Sequence, residues 1–235
     1  MAIKYTKAET LSMAEEAVKS MSTFYQQGFV NYTGTVLHEN DYYSEVIAAF
    51  LLERLELFEN IPTIRRKGSY CVQGHDGVAQ NPGSNQKEAH LAYDLFRKKN
   101  VPGLGRVLDY QVPLKDVQAD EAGKIDLVAE DGSSFYLLEL KQEDNHKETL
   151  LRCVLEILTY WHTVDQPKLL EDFKDSLDSD IQPPVVPAVL LPEGCTAYRE
   201  LTELRAGKRP NLAKLMETKG VQAFVLDAAL NCRRG

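Results

Sequence analysis

Residues 124–141 constrain the fold of this chain most strongly, because they combine a turn signal with two apolar runs. The segment reads KIDLVAEDGSSFYLLELK. The Asp-Gly pair in its middle is typical of a hairpin turn, so residues 124–130 and 134–141 are predicted to be paired antiparallel strands. The run over 135–138 is continuously apolar, which indicates a strand that is buried on both faces. The sequence therefore predicts a sheet that is covered on both sides.

Charged residues in this hairpin predict a cation site. Alternate side chains of a strand share a face, so Glu139 and Lys141 point the same way, opposite to the leucines that alternate with them. A turn of two or four residues would place Asp126 on the face of Glu139, whereas a three-residue turn would need a bulge to do so. Two carboxylates beside an ammonium suit a hard cation such as Mg²⁺ or Mn²⁺. The alternative is that these residues are the outward side chains of a solvated hairpin.

Such a site would suit phosphodiester hydrolysis. A bound cation would polarise the scissile phosphate and lower the pKa of a water molecule. Lys141 would orient or help to deprotonate that water, and it would offset negative charge in the transition state. The hairpin therefore predicts a metal-dependent site for phosphate chemistry.

The rest of the chain alternates between helical and strand patterns. Amphipathic spacing and capping signals predict helices over 7–27, 41–58, 85–99, 147–163, 198–204 and 211–218. Short apolar runs predict further strands over 106–114, 185–191 and 221–226. Residues 61–86 and the polar stretch between 163 and 185 are predicted to be irregular. This order predicts an α/β protein with a mixed β-sheet flanked by helices.

Length and composition are those of an ordinary soluble protein. The 235 residues are 43% hydrophobic and 26% charged, which suffices for one compact domain. Residues 1–60 are predicted to form an N-terminal helical extension packed on a core of residues 61–235, and to serve a homodimer interface or shape a cleft. We expect a cytoplasmic protein without a membrane span, because no apolar run is long enough, no apolar secretory segment is present and the four cysteines are widely scattered.

The overall charge is acidic. A net charge of −8 and a pI near 5.2 count against a broad basic surface, and so against tight, non-specific binding to duplex nucleic acid. Basic residues are nonetheless concentrated at 65–67, 97–99 and 233–234, where each group is more simply a solvated face or a frayed end. Charge alone therefore neither establishes nor excludes a nucleic-acid partner.

Asp126 and the Glu-Leu-Lys triplet at 139–141 resemble the motif of the PD-(D/E)xK nuclease superfamily, whose members share a restriction-endonuclease-like fold. The resemblance covers roughly residues 85–165, including a helix before the strands and a helix after them. Residues 185–191 would be a further core strand. The proline of the motif is absent, because Ile125 precedes the acid.

The resemblance implies a role for each matching residue. Asp126, Glu139 and the backbone carbonyl of Leu140 would hold Mg²⁺ or Mn²⁺. Lys141 would be the catalytic lysine. Glu88, on the helix before the first core strand, would be an accessory acid of the same site.

Two residues of the helix after the hairpin are candidates for substrate binding. Related nucleases often supply a polar or basic group from the equivalent helix, so Arg152 would hold a phosphate and Tyr160 would stack on the substrate or form a hydrogen bond with it. The alternative for Arg152 is an i, i+4 ion pair with Glu156 that faces water. The residues leave both readings of Arg152 open.

Two further acids are weighed against this set. Asp109, in the middle of the strand over 106–114, is an alternative first acid, but it lies far from Glu139 along the chain, so Asp126 is preferred. His75 and Asp76 fall in an irregular segment without a second metal-binding motif, and they are more simply a polar turn.

Together these features predict an intracellular, Mg²⁺-dependent hydrolase of phosphodiester bonds, and the resemblance to the nuclease superfamily implies DNA as its substrate. Two other classes stay open. One is a non-cleaving nuclease-fold binding module or assembly subunit, which the acidic net charge favours. The other is a metal-dependent hydrolase of a small nucleotide or another phosphate ester.

Overall fold

The computed structural model describes residues 4–72, 87–116, 123–177 and 182–235. The turn expected at His75 and Asp76 lies outside these residues. The described helices are α1 Lys7–Ala17, α2 Tyr43–Leu52, α3 Lys87–Lys98, α4 Leu150–Thr163, α5 Gln166–Phe173, α6 Thr196–Arg205 and α7 Pro210–Thr218. The described strands are β1 Asn100–Val101, β2 Gly105–Pro113, β3 Lys124–Glu130, β4 Phe135–Leu140, β5 Val185–Pro192, β6 Gln222–Leu226 and β7 Cys232–Arg234. The predicted class, a mixed α/β protein, is confirmed.

The strands form one sheet whose order follows the chain from β1 to β7. β1 to β4 pair antiparallel, β4 to β6 pair parallel, and β7 is antiparallel to β6. Two crossovers connect the parallel strands, one with α4 and α5 and the other with α6 and α7. As a result, the C-terminal ends of β2, β4 and β5 and the N-terminal end of β3 lie at the same end of the sheet, which we call the β4 end.

β4 is buried along its whole length because it packs on both faces. Phe135 and Leu137 join the larger hydrophobic cluster, which contains the apolar side of α4. Tyr136, Leu138 and Leu140 join a second cluster, which contains the apolar side of α3. This alternation is that of a strand in the middle of a covered sheet. The predicted burial of the strand on both faces is confirmed.

The β3–β4 hairpin has an even turn. Glu130 pairs with Phe135 across residues 131–134, and the same register persists to Leu138. The turn has four residues, which is one of the two lengths that place Asp126 and Glu139 on the same face of the hairpin. Continuing the register by one step brings Asp126 opposite Glu139. The hairpin therefore directs both predicted ligands to one face at the β4 end.

The stretch between 163 and 185 was wrongly predicted to be irregular, because it contains α5. Asp165 caps this helix by accepting a hydrogen bond from the backbone N–H of Lys168, and Pro167 lies in the first turn. Phe173 anchors its far end in the core. The helix is only about two turns long, so its buried apolar residues, Leu169, Leu170 and Phe173, are too few to mark a helical period in the sequence.

The first two helices are shorter than predicted. The helix expected over 7–27 ends at Ala17 and continues as tighter 3₁₀ turns, since the backbone at Ser20 leaves the helical region. The helix expected over 41–58 ends at Leu52. β1 and β7 were not predicted at all, because strands of two or three residues are too short to show a period of two.

The N-terminal helices share the core of the rest of the chain. Ile47 and Leu51 of α2 belong to the hydrophobic cluster that also contains α4 and one face of the sheet. The carboxylate of Glu45 accepts hydrogen bonds from the backbone N–H groups of Asn211 and Leu212, at the start of α7. Apolar packing and helix capping therefore both attach α2 to the C-terminal part.

Among the described helices, none is both long and apolar enough to cross a membrane.

Candidate active site

Lys141, the first residue after β4, lies at the centre of a cluster of carboxylates. Its ammonium is 2.5 Å from Glu139 Oε1 and 3.0 Å from Glu148 Oε2. Two further carboxylate oxygens lie at its edge, Glu156 Oε2 at 3.9 Å and Glu88 Oε1 at 4.0 Å. These acids come from β4, α3, α4 and the loop before α4. The predicted set of Glu88, Glu139 and Lys141 is thus brought together at the β4 end.

Asp126 lies beside this cluster on the adjacent strand. Its Oδ2 accepts a hydrogen bond from the backbone N–H of Leu140 at 2.9 Å, and its Oδ1 accepts one from Gln111 Nε2 at 2.9 Å. The side chain therefore reaches the residue between Glu139 and Lys141. Both the hairpin register and these hydrogen bonds direct Asp126 toward the site.

Gln111 holds Asp126 from the other side, in an uncommon conformation. Its φ is 50°, a region that residues with side chains rarely adopt. The alternation of faces also breaks here, because Tyr110 packs in the cluster under α3 whereas Val112 packs in the cluster under α4. Residues in sparsely populated conformations cluster at functional sites, so this one independently marks the β4 end.

Burial has the largest effect on the pKa values of the two predicted carboxylate ligands, Asp126 and Glu139. It raises the pKa of Asp126 to about 7, although the Lys141 ammonium and the Leu140 N–H both favour the charged form. Burial also raises the pKa of Glu139 well above its ordinary value, against the opposing effect of Lys141. For Lys141, burial opposes the charge, but the surrounding carboxylates, chiefly that of Glu139, outweigh it and raise the pKa of the ammonium well above its usual range. Lys141 is therefore a charged donor at neutral pH.

The cluster holds more carboxylates than cations. Its acids are Asp126, Glu139, Glu88, Glu148 and Glu156, whereas Lys141 and Arg152 are the basic residues in contact with them. One buried oxygen, Glu156 Oε2, accepts no hydrogen bond from the part of the chain that the structure describes. A buried acceptor without a donor is costly, and an excess of carboxylates is repulsive. Both features fit a cation at this position.

The donor atoms also fit a hard cation in their chemistry. Asp126, Glu139 and the Leu140 carbonyl offer oxygen ligands, and Mg²⁺ completes such a set with water. Within the described ranges, no three His, Cys, Asp or Glu side chains form a group that could hold a metal ion by themselves. The predicted set needs only two such side chains, because its third ligand is a backbone carbonyl.

Arg152 and Tyr160 are engaged inside the protein. Arg152 Nε is 3.0 Å from Glu148 Oε1 and 3.8 Å from Glu156 Oε2, and its Nη1 donates to the Tyr25 carbonyl at 2.7 Å. The Tyr160 hydroxyl donates to Glu156 Oε1 at 3.0 Å, and the residue is only 6% exposed. In this arrangement both side chains position acids of the cluster. The ion pair weighed as the alternative for Arg152 exists, with Glu148 as the closer partner.

Sequence reasoning missed Glu148, and it placed Glu156 on the polar side of the helix without assigning it to the site. Residues 148, 152, 156 and 160 recur every four positions, from the loop just before α4 into the helix, and they alternate acids with a base and a phenol where most neighbouring helix residues are buried. Polar residues at this spacing on a buried helix next to the motif are the signal that would have found them. Asn145 supports Glu148, since its amide donates to Glu148 Oε2 at 2.7 Å.

Asp109 serves a different part of the molecule. Its carboxylate accepts hydrogen bonds from the backbone N–H groups of Val72 and Tyr110 at 2.9 and 2.8 Å, and the residue is 2% exposed. It therefore ties residues 70–72 to β2. Asp126, by contrast, reaches the backbone of Leu140.

Solvent reaches the cluster beside Glu88 and Glu148. Glu88 and Glu148 have side chains that are 33% and 21% exposed, whereas Lys141 is 4% exposed. A cleft of about 600 Å³ opens beside Glu148, Arg152 and the loop over 142–147.

Comparison of the chain with models of protein families, with curated proteins and with solved structures found no match. The resemblance to the PD-(D/E)xK superfamily therefore stays a prediction carried by the residues themselves.

Proposed function

We propose that this protein is a metal-dependent nuclease that hydrolyses phosphodiester bonds in DNA, with a restriction-endonuclease-like core. The observation that supports it best is convergence. Asp126, Glu139 and Lys141, chosen from the sequence as one site, meet at the end of a doubly buried strand. A cluster of this composition at the carboxyl ends of parallel strands is a common position for a ligand site.

The chain's own residues supply binding, orientation and charge. Asp126, Glu139 and the carbonyl of Leu140 would hold Mg²⁺ or Mn²⁺. The ion, when bound, would polarise a phosphoryl oxygen and lower the pKa of a water molecule. Lys141 is a charged donor, so it would orient the attacking water or a phosphate oxygen and offset negative charge in the transition state, and would not act as a base at neutral pH. Glu148 would keep the Lys141 ammonium in place from the cleft side.

Cleavage assays with matched variants test this proposal. Purified protein is incubated with plasmid, linear duplex and single-stranded DNA in Mg²⁺ or Mn²⁺, alongside Asp126→Asn, Glu139→Gln and Lys141→Met. Loss of one such group should lower the rate by about 100-fold or more. Lys214→Ala removes an exposed lysine that pairs with Glu217 on α7, and it should cut at the normal rate.

Circular dichroism separates a lost site from a lost fold in these variants. Cleavage that persists in both Asp126→Asn and Lys141→Met, at the rate of the unaltered protein, would remove the proposed site. The same result would remove the family resemblance as a guide to the reaction.

One observation favours a second candidate, a binding module that does not cut. Glu139 and Lys141 are 3% and 4% exposed and are joined to each other at 2.5 Å, as in a purely structural ion pair. In that case no nucleic acid would be cleaved, and divalent ions would leave the melting temperature unchanged. The same assays therefore separate the two candidates.

A further inference from the structure

Four cationic residues lie on chain segments that reach the β4 end, where the candidate site is. They are Arg65, Lys67, Lys115 and Lys124, which we call the basic patch. Lys124 is the first residue of β3, and Lys115 follows the last residue of β2 by two positions. The sheet topology places both of these strand ends at the edge where β4 finishes.

Arg66 attaches the other half of the patch to the same edge. Its Nη1 donates to the Pro113 carbonyl at 2.7 Å, and Pro113 pairs with Lys124 across β2 and β3. Asp116 accepts hydrogen bonds from the backbone N–H groups of Lys67 and Gly68 at 2.7 and 2.9 Å. Together these contacts hold residues 66–68 against residues 113–116, where β2 ends.

The basic patch contrasts with the acidic character of the whole chain. Arg65, Lys67 and Lys124 are exposed, and Lys115 is half-buried. Arg66 is different, because its side chain is 12% exposed and forms an ion pair with Asp116. To the extent that the structure describes the chain, the four patch side chains form no ion pair, although the net charge is −8 and carboxylates are abundant. Their charge is therefore available to a partner.

The basic patch is continuous with the candidate site. Lys124 precedes Asp126 by two residues on β3, which corresponds to about 6–7 Å along a strand. Gly123 lies against the Tyr160 hydroxyl so closely that a Cβ atom would be 2.1 Å from it. That hydroxyl donates to Glu156, an acid of the cluster around Lys141. One side of the site is thus basic and exposed, while its cleft side carries acids.

We propose that the basic patch binds the phosphodiester backbone of a nucleic acid and leads it into the site around Lys141. This rests on the proposed function, because it assigns the binding surface for that substrate. Lysine and arginine contacts to phosphate provide affinity and position without reading sequence. Duplex DNA, single-stranded DNA and RNA share this backbone, so the experiment compares all three.

Binding is measured by fluorescence anisotropy with labelled oligonucleotides in EDTA, where a metal-dependent cleavage cannot interfere. Two double variants, Arg65→Ala with Lys67→Ala and Lys115→Ala with Lys124→Ala, should each weaken binding by about ten-fold or more at moderate salt. For duplex DNA, each lost phosphate contact should reduce the slope of log K against log salt by about 0.9. The nucleic acid whose affinity falls most in the patch variants is the one that the basic patch binds.

The matched control is Lys208→Ala with Lys214→Ala, which removes the same charge from exposed positions beside and on α7. It should leave both affinity and salt slope within about two-fold of the unaltered protein. Equal losses in the control and the patch variants, unchanged affinity in the patch variants, or no binding of any nucleic acid would each overturn the assignment.

A small phosphodiester separates failure of the patch from failure of the proposed function. Bis(p-nitrophenyl) phosphate engages the reacting atoms and is too small to span the patch, so patch variants should hydrolyse it at the normal rate in Mn²⁺. Hydrolysis with unchanged DNA binding in the patch variants removes the patch and keeps the function. Patch-dependent binding without hydrolysis of any substrate removes the function and keeps the patch.

Discussion

Two buried clusters of charge in this molecule differ in how well they are balanced. The first lies between α2, α6 and α7, where Arg209 donates to Glu203 at 2.6 Å and lies 3.3 Å from Glu200 Oε1, with its guanidinium over the Tyr42 ring at 4.1 Å. The Glu200 carboxylate also accepts a hydrogen bond from the backbone N–H of Leu150 at 2.8 Å, at the start of α4. Every carboxylate in that cluster has an assigned donor.

The cluster around Lys141 is organised differently. Its carboxylates exceed its cations, Glu156 Oε2 has no hydrogen-bond donor within the described residues, and the pKa of Asp126 is raised by burial to about 7. Proteins keep unbalanced buried charge where a function requires it, and perturbed pKa values concentrate at such places. The Arg209 cluster therefore holds helices together, whereas the Lys141 cluster keeps an excess of carboxylates, which is where we propose that a cation binds.

Loss of Arg209 should have the largest effect on stability. Arg209→Met leaves Glu200 buried without its cation, and breaking a buried pair in this way costs about 3–5 kcal/mol. Urea denaturation at pH 7 measures the change in the free energy of unfolding, and Lys214→Ala should change it by less than about 0.5 kcal/mol. A loss below 1 kcal/mol in Arg209→Met would remove the contrast between the two clusters.

The stability of the metal-free protein should fall as pH rises through the range where Asp126 loses its proton. The folded-state pKa of Asp126 is about 7 against an ordinary 3.8, so the folded state binds this proton more tightly than the unfolded state does. The contribution of this proton to the free energy of unfolding is therefore fully present below pH 4 and lost between pH 4 and 7, by up to about 4 kcal/mol.

Asp126→Asn provides the comparison for that pH dependence, because it removes the titrating group with little change in shape. Urea denaturation in EDTA at several pH values should show the variant gaining on the unaltered protein as pH rises. Parallel pH profiles for the two proteins would contradict the raised pKa.

Divalent ions should stabilise the Lys141 cluster and leave the Arg209 cluster unaffected. Mg²⁺ or Mn²⁺ at about 100 times its dissociation constant should add about 2.7 kcal/mol to the free energy of unfolding. Differential scanning fluorimetry with and without the ion should show a rise in Tm for the unaltered protein and none for Asp126→Asn or Glu139→Gln. An equal rise in all three proteins would assign the ion to another site.

The smallest effects come from neutralising one acid in each cluster. Glu200→Gln takes a charge partner from Arg209 and should cost about 1–3 kcal/mol, since hydrogen bonds to charged groups contribute that much. Glu156→Gln keeps an oxygen that can accept from Tyr160 and relieves repulsion among carboxylates, so its cost should stay below about 1 kcal/mol. Chemical denaturation of the two variants side by side checks the order, and the reverse order would mean that Glu156 is the better satisfied acid.

This site could be predicted from the sequence because its hairpin depends on signals between residues that are close along the chain. The hairpin over 124–141 follows from a turn signal and a period of two, and its even turn alone sets which face Asp126 shares with Glu139. The helix after it shows a wide apolar side, so α4 was also predicted, although it begins at Leu150 and not near residue 147. α5 and the two short edge strands were missed because few residues carry a periodic signal there.

The sequence by itself determined the α/β class, the doubly buried strand and the choice of Asp126, Glu139 and Lys141, because these depend on neighbours along the chain. Only the tertiary structure decided which distant groups join them. Glu148 and Glu156 approach Lys141 because α4 crosses behind β4, and Gln111 holds Asp126 through an unusual backbone conformation. Residues 66–68 are held against the end of β2 by the hydrogen bonds of Arg66 and Asp116. No sequence period encodes such contacts, since they depend on how separate elements pack in space.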